Sequence, residues 1–157
     1  LFIPMVNVMA TLHLDDSIWA LVVVYPTFLV PFVTWLMSGY FRTIPSDLED
    51  CARIDGLTRF GAMWRIALPL AKPGILSAAI FAFTLSWNEF IYALTLVSAS
   101  SERTIPVGVL VQLSRADFYF WGPLMAGALL GSVPVAIVYS FFVDQYASGL
   151  TAGAVKG

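Results

Sequence analysis

Long uncharged apolar stretches alternate along this chain with shorter polar ones, and the polar stretches have periods of their own. A helix needs about 20 apolar residues to cross a bilayer. Residues 1–14 are apolar but too short for that, and read as a partial span, the outer end of a truncated helix. Residues 18–41 carry no charge and are long enough; residues 73–99 and 118–143 are further spans, each free of Lys and Arg. Between them lie a polar loop at 42–72, a second loop at 100–117 and a tail at 144–157. Pro26, Pro31, Pro123 and Pro134 fall inside the spans and predict kinks, which membrane helices tolerate where neighbours or water satisfy the freed carbonyls. The pattern predicts an all-α polytopic bundle.

Composition sharpens this picture. The 157 residues are 59% hydrophobic and 11% charged, with a mean hydropathy of +0.84, whereas soluble domains are about a quarter charged. Such a surface requires lipid. The chain opens at Leu1 inside an apolar run, without a start Met or a basic flank, and so reads as the C-terminal part of a longer protein. The single Cys51 has no internal disulfide partner. Arg42, Arg53, Arg59, Arg65 and Lys72 crowd the 42–72 loop, against Arg103 and Arg115 in the 100–117 loop. The positive-inside rule therefore makes the first loop cytoplasmic. Alternation puts His13, Asp15, Asp16 and the 100–117 loop outside, and the tail with Lys156 inside.

The 42–72 loop has specific local signals. Ser46 with Glu49 three residues on forms a capping box, Pro45 stops the preceding span, and Gly56 can take the left-handed conformation that ends a helix. These predict a helix over about 47–55, with Leu48, Cys51, Ala52 and Asp55 on one face. Thr58 then caps a second helix whose apolar stripe is Phe60, Met63, Trp64 and Ala67, ending at Pro69. This helix–Gly–helix knob is longer than a turn between spans requires. Two readings stay open on the residues alone: a docking surface, or an amphipathic connector lying on the headgroups with its bases near anionic lipid.

The run Ile44-Pro45-Ser46-Asp47-Leu48-Glu49-Asp50-Cys51-Ala52-Arg53-Ile54-Asp55-Gly56 resembles the "EAA" coupling loop of ABC importer permeases, the membrane subunits driven by a separate ATPase. The likeness continues through Phe60, Trp64, Ile66, Leu68-Pro69-Leu70 and Pro73-Gly74-Ile75. Trp87-Asn88-Glu89-Phe90 and the tail from Gly149 to Gly157 are similar to the carbohydrate-uptake branch, in particular the smaller maltose-type permease subunit. Asp50 stands where that family usually has Glu, and Cys51 where it usually has Ala, which keeps the charge and the small volume. The resemblance implies that Asp50, Cys51, Ala52, Asp55 and Gly56 dock into an ABC ATPase dimer, with Gly149, Gly153 and Lys156 contacting it from the tail. It further implies a second permease subunit, an extracytoplasmic solute-binding protein and a multi-pass place in a bacterial or archaeal cell membrane, without nucleic acid. ATP and Mg belong to the ATPase: this chain has no Gly-rich loop ending in Gly-Lys-Ser/Thr, and no catalytic residue or cofactor of its own is expected.

Glu89 is the ionisable residue within the predicted spans, flanked by Trp87 and Asn88. A carboxyl facing lipid is costly, so it should face the bundle or a watery path. Asn, Glu and Trp together suit a polyhydroxylated solute, and they equally suit a cation path, a hydrogen bond to a neighbouring helix, or hydration near the outer headgroups. Gly127 with Gly131, and Gly122 with Ala126, form small-residue ridges for close helix packing. Tyr119, Phe120 and Trp121 read as an interfacial belt. His13, with Asp15 and Asp16, lacks the further ligands of a metal site, and no metal is expected. Thr104 to Ser114 predicts a short amphipathic helix, which by the resemblance faces the solute-binding protein.

The expected function is the permease subunit of an ATP-driven, binding-protein-dependent importer for a sugar or oligosaccharide. The alternatives are an ABC permease for another solute, an ion-coupled carrier or channel using Glu89, and a non-transporting membrane scaffold.

Overall fold

The computed structural model describes the backbone of residues 2–115 and 118–154, and the side chains of residues 2–113 and 120–143. Among the described residues ten α-helices follow in order: α1 Phe2–Thr11, α2 Ile18–Val24, α3 Pro26–Phe41, α4 Ser46–Ile54, α5 Arg59–Ala62, α6 Leu68–Leu70, α7 Lys72–Trp87, α8 Ile91–Leu96, α9 Ile105–Leu113 and α10 Trp121–Ala154. A π-helical turn, Met63–Ala67, joins α5 to α6. Ser114–Arg115 and Phe118–Tyr119 pair as a two-residue antiparallel ladder, Ser114 opposite Tyr119 and Arg115 opposite Phe118.

Among the described residues two helical stretches are long and apolar enough to cross a membrane, Ile18–Phe41 and Trp121–Val143, and the bent pair Arg59–Leu70 with Lys72–Trp87 makes a third if it is taken as one span. The first is α2 and α3 in series through Tyr25, which keeps helical geometry (φ −57°, ψ −38°) and whose carbonyl accepts from Leu29 N at 3.0 Å; Pro26 interrupts the ladder there because it has no N–H to donate. The last span starts at Trp121, not at residue 118, since residues 118–119 are spent on the ladder. Its helix carries Pro134 inside and a non-helical residue at Phe142 (φ −125°, ψ 21°). That interruption lies one residue from the predicted end of the span, but beyond it the backbone stays helical to Ala154. Leu129, Leu130 and Phe141 stand 67%, 70% and 77% exposed. Water penalises so long an apolar face and hydrocarbon does not.

The predicted single span over 73–99 is not one helix. α7 stops at Trp87, residues 88–90 belong to no helix, and α8 resumes at Ile91. Hydropathy averages over such a break, because the residues on either side are equally apolar.

The chain divides into two compact units, Leu1–Val30 with Thr84–Val138, and Pro31–Phe83 with Tyr139–Gly157. The first has a core of Met9, Ala20, Leu21, Val24, Ala93, Leu96, Val97 and Val107, drawn from α1, α2, α8, α9 and the residue after α8. Within it α9 lies against α10. A Cβ on Gly127 would come 2.8 Å from a Val109 methyl, and one on Gly131 3.3 Å from an Ile105 methyl. The predicted ridge thus serves a helix of the same chain, whereas Gly122 has open space around it. The interior of the second unit is mostly small residues: Ala52, Ala62, Ala67, Ala71, Gly74, Ser77 and Ala78 are buried, with Ile80 beside them. Gly74 is required there by close approach, since a Cβ would fall 2.5 Å from Cγ of the Tyr40 ring, at its rigid root.

Candidate functional site

The knob between residues 45 and 70 is built by local constraints. α4 begins at Ser46, one residue earlier than a capping box requires, with Pro45 as N-cap (φ −60°, ψ 131°) and no side-chain cap. The expected Ser46–Glu49 box is therefore absent: Pro45 already occupies the extended cap position, and Ser46 is helical. Asp47 and Glu49 in the first turn and Arg53 in the last instead complement the helix dipole.

The other end agrees with the sequence. Gly56 has φ +90°, its N–H donates to the Arg53 carbonyl at 3.1 Å, and the Leu57 N–H donates to the Ala52 carbonyl at 3.0 Å. This pair of bonds is the Schellman ending, which needs the left-handed residue that glycine adopts without strain. Thr58 follows as N-cap of α5, its hydroxyl accepting from Gly61 N at 3.1 Å.

The π turn has a cause in Pro69. Proline offers no N–H to the carbonyl four residues back, Arg65, and its ring crowds that carbonyl. The turn containing Arg65 widens to i→i+5 bonding, with Leu68 N–H donating to Met63 O. Past Leu70 the helix bends by 70° into α7. The knob, the bend and α7 are one covalent lever.

On this lever Ala52 is 3% exposed, inside the packing of α4 against α5 and the π turn. It is not on the surface with the other residues of the motif. Asp50, Cys51, Asp55 and Gly56 are exposed. Asp50 meets Arg53 at 3.3 Å, one turn away and in the open, an arrangement that contributes little and leaves the carboxylate free to engage a partner. Asp50, Arg53, Ile54, Leu57, Thr58 and Arg59 line an open concavity of about 540 Å³, and Ile54 at its edge is 84% exposed.

The second predicted site, Trp87-Asn88-Glu89, coincides with the break between α7 and α8. The Glu89 carboxylate accepts from the backbone N–H groups of Tyr92 (2.9 Å) and Ala93 (3.0 Å), and from the Tyr25 hydroxyl at 3.3 Å. From the position before the N-cap Phe90 it satisfies the first free N–H groups of α8, and through Tyr25 it ties that break to the junction of α2 and α3. Asn88 is exposed, and its amide donates back to the Thr84 carbonyl at 2.9 Å. The Trp87 indole donates to the Gly131 carbonyl of α10 at 2.9 Å, next to Leu130, whose carbonyl Pro134 cannot bond. The Trp87 and Glu89 side chains join separate helices, whereas Asn88 closes the last turn of α7. Trp87 and Tyr25 also line a cleft of about 350 Å³ with Ser86, Arg103 and Thr104.

Two carboxylates to which the sequence assigns no structural role are used in the same unit. Asp16, itself at φ +59°, accepts from the N–H groups of Ser98 (2.6 Å) and Ala99 (2.7 Å), while Glu102 accepts from Ile18 N at 2.7 Å. Each acid caps the other's segment from more than 80 residues away. Nothing in local sequence signals such a pairing. Of the tail residues, Gly149 and Gly153 fall in the backbone of α10 with their surroundings undescribed, and Lys156 lies outside the described residues. Among the described residues no cluster of His, Cys, Asp and Glu could hold a metal.

Comparison with known proteins decides what kind of molecule carries these features. The family described as binding-protein-dependent transport system inner membrane component matches residues 1–152. The chain belongs to this family. Among its curated relatives, the sulfoquinovosyl glycerol transport system permease of Agrobacterium fabrum is 42% identical over all of this chain and 55% of its own length. An inner membrane ABC transporter permease of Escherichia coli is 36% identical over 100% of this chain and 56% of its own. The trehalose transport system permease of Mycobacterium tuberculosis is 35% identical over 98% and 57%. The chain spans about half the length of the curated relatives it matches. Family membership and the apolar helices agree that this is a helical membrane protein, and its relatives are transport permeases.

Proposed function

We propose that this chain works as a permease subunit of an ATP-driven, binding-protein-dependent importer, and that its cargo is a sugar or oligosaccharide. The observation that carries the reading is the knob: a short helix ended by a left-handed Gly56, presenting Asp50, Cys51 and Asp55 outward, joined without a flexible linker to a membrane helix. The names of the relatives support the cargo class. The ATPase dimer holds ATP and Mg. It receives the knob on the cytoplasmic side, with the tail around Gly149, Gly153 and Lys156 nearby, while a solute-binding protein delivers cargo from the other side and a second permease completes the path.

The mechanism follows from stiffness. When the ATPases close, force on Asp50 and Gly56 passes through Ala52 into the packed α5 and π turn, round the 70° bend, and into α7 where Gly74 sits against Tyr40. Because the interior is mostly small residues, there is little side-chain slack to absorb the motion. A path lined near Trp87, Asn88 and Glu89 would open alternately to the two sides. A cation site at Glu89 is less well supported, since both its oxygens already accept hydrogen bonds.

Cys51 gives the test. It is exposed and is the sole cysteine. In the assembled transporter it should crosslink to a cysteine introduced on the ATPase surface, with a yield that changes between nucleotide-free and ATP-bound states. A Cys51 that stays equally accessible to aqueous maleimide with and without the ATPases would contradict docking at the knob.

A further inference from the structure

The helical arm Arg59–Leu70 has a face that the docking role of α4 does not use. Phe60 and Trp64 are 66% and 58% exposed and touch edge to face at 6.2 Å between ring centroids; Met63 and Leu70 are exposed with them. From Leu57 to Asn88 the charged residues are Arg59, Arg65 and Lys72, all bases, without a single Asp or Glu. All three are exposed. α4, by contrast, carries Asp47, Glu49 and Asp50. The two arms of the knob therefore differ in charge and in apolar exposure, and a single occupant does not suit both.

Geometry names the occupant of the second arm. Arg59–Leu70 and Lys72–Trp87 meet at 70°. Twelve residues at about 1.5 Å each make an arm of roughly 18 Å. If α7 stands along the bilayer normal, the arm climbs only about 6 Å along that normal over its whole length. The headgroup region on one side of a bilayer is itself about 5–7 Å thick. An arm attached to a span at this angle stays within one headgroup layer from end to end. Tilting α7 by the usual ~20° changes that climb to between roughly 0 and 12 Å, so a tilt away from the arm lays it flat in the layer.

We propose that the Arg59–Leu70 arm lies in the headgroup layer of the bilayer, with Phe60 and Trp64 inserted at the acyl boundary and Arg65 and Lys72 paired with anionic lipid phosphates. Aromatic rings prefer this depth and bases are drawn to anionic leaflets. Tethering the arm to the surface gives the lever a fulcrum, so that force on α4 turns α7 and does not merely push the knob into the membrane. The inference rests on the chain being membrane-embedded, and is independent of which solute it carries.

The experiment uses the assembled transporter in nanodiscs of phosphatidylcholine, with and without phosphatidylglycerol, in a Cys51→Ser background. Met63→Cys carries a fluorophore; a second variant, Leu129→Cys, reports on the span. The residue-63 probe should be quenched by lipids bearing a nitroxide just below the headgroup and shielded from aqueous iodide. The shielding should strengthen with phosphatidylglycerol. Arg65→Gln with Lys72→Gln should remove that increment, raising iodide access about fivefold or more, as expected from the attraction of each base to an anionic surface. Equal iodide access in both lipids would overturn the proposal. Shielding from lipid nitroxide and iodide alike, present only with the ATPases bound, would overturn it in favour of a protein partner. A deep nitroxide lipid that quenches the residue-129 probe shows the span embedded; if it does not, the membrane reading itself has failed.

Discussion

Gly56→Pro should abolish solute-stimulated ATP turnover in the assembled transporter, by more than tenfold, while the protein still inserts. Proline cannot reach φ +90°, and it removes the N–H that bonds the Arg53 carbonyl. A graded series checks the cause. Gly56→Val places a branched side chain in the left-handed region at a cost of about 1–2 kcal/mol, enough to depopulate the docked knob roughly 5–30-fold. Gly56→Asn, which tolerates that region, should retain most of the activity. There is open space around a Cβ at this position, so steric clash with the rest of the chain does not account for the order. Equal loss in all three variants would point to contact at the glycine surface and not to its backbone.

Glu89 has the second large expected effect. Glu89→Leu leaves two backbone N–H groups and the Tyr25 hydroxyl without acceptors, at about 1–3 kcal/mol each. Uptake should fall at least tenfold, with lower thermal stability in detergent. Glu89→Gln keeps the shape and one acceptor oxygen, and sets an NH₂ against one of the donors. Its loss should be a few-fold. Tyr25→Phe removes one of the three donors and should cost less than either, and combining it with Glu89→Gln should be less than additive. Were Glu89 a cation site, Gln would harm uptake nearly as much as Leu, because the missing element would be charge.

The contrast between these two residues shows what could be read from the chain. Gly56 and Thr58 were legible because a left-handed ending and an N-cap are properties of a few adjacent residues. Ser46 was misread for an equally local reason: Pro45 competes for the cap and takes it. Pro69 announced a missing donor, but where the helix would widen to absorb it depends on the packing of α4, and the π turn was not visible. Glu89 stood out by composition alone. That it caps α8 could not be read, since hydropathy shows no break at residues 88–90, and its partner Tyr25 lies 64 residues away. The capping roles of Asp16 and Glu102 could not be read because each bonds backbone that only the fold brings near. The ridge Gly127 and Gly131 was legible as a packing surface, though not that α9 fills it.

ATP-driven uptake is the property on which the proposed role stands or falls. The transporter, reconstituted in proteoliposomes with its ATPases, second permease and binding protein, should accumulate radiolabelled sugar when ATP is supplied, with sodium and proton gradients collapsed by ionophores. Gly56→Pro in the same vesicles should not. Accumulation that persists without ATP and vanishes with the ion gradients would contradict an ATP-coupled permease.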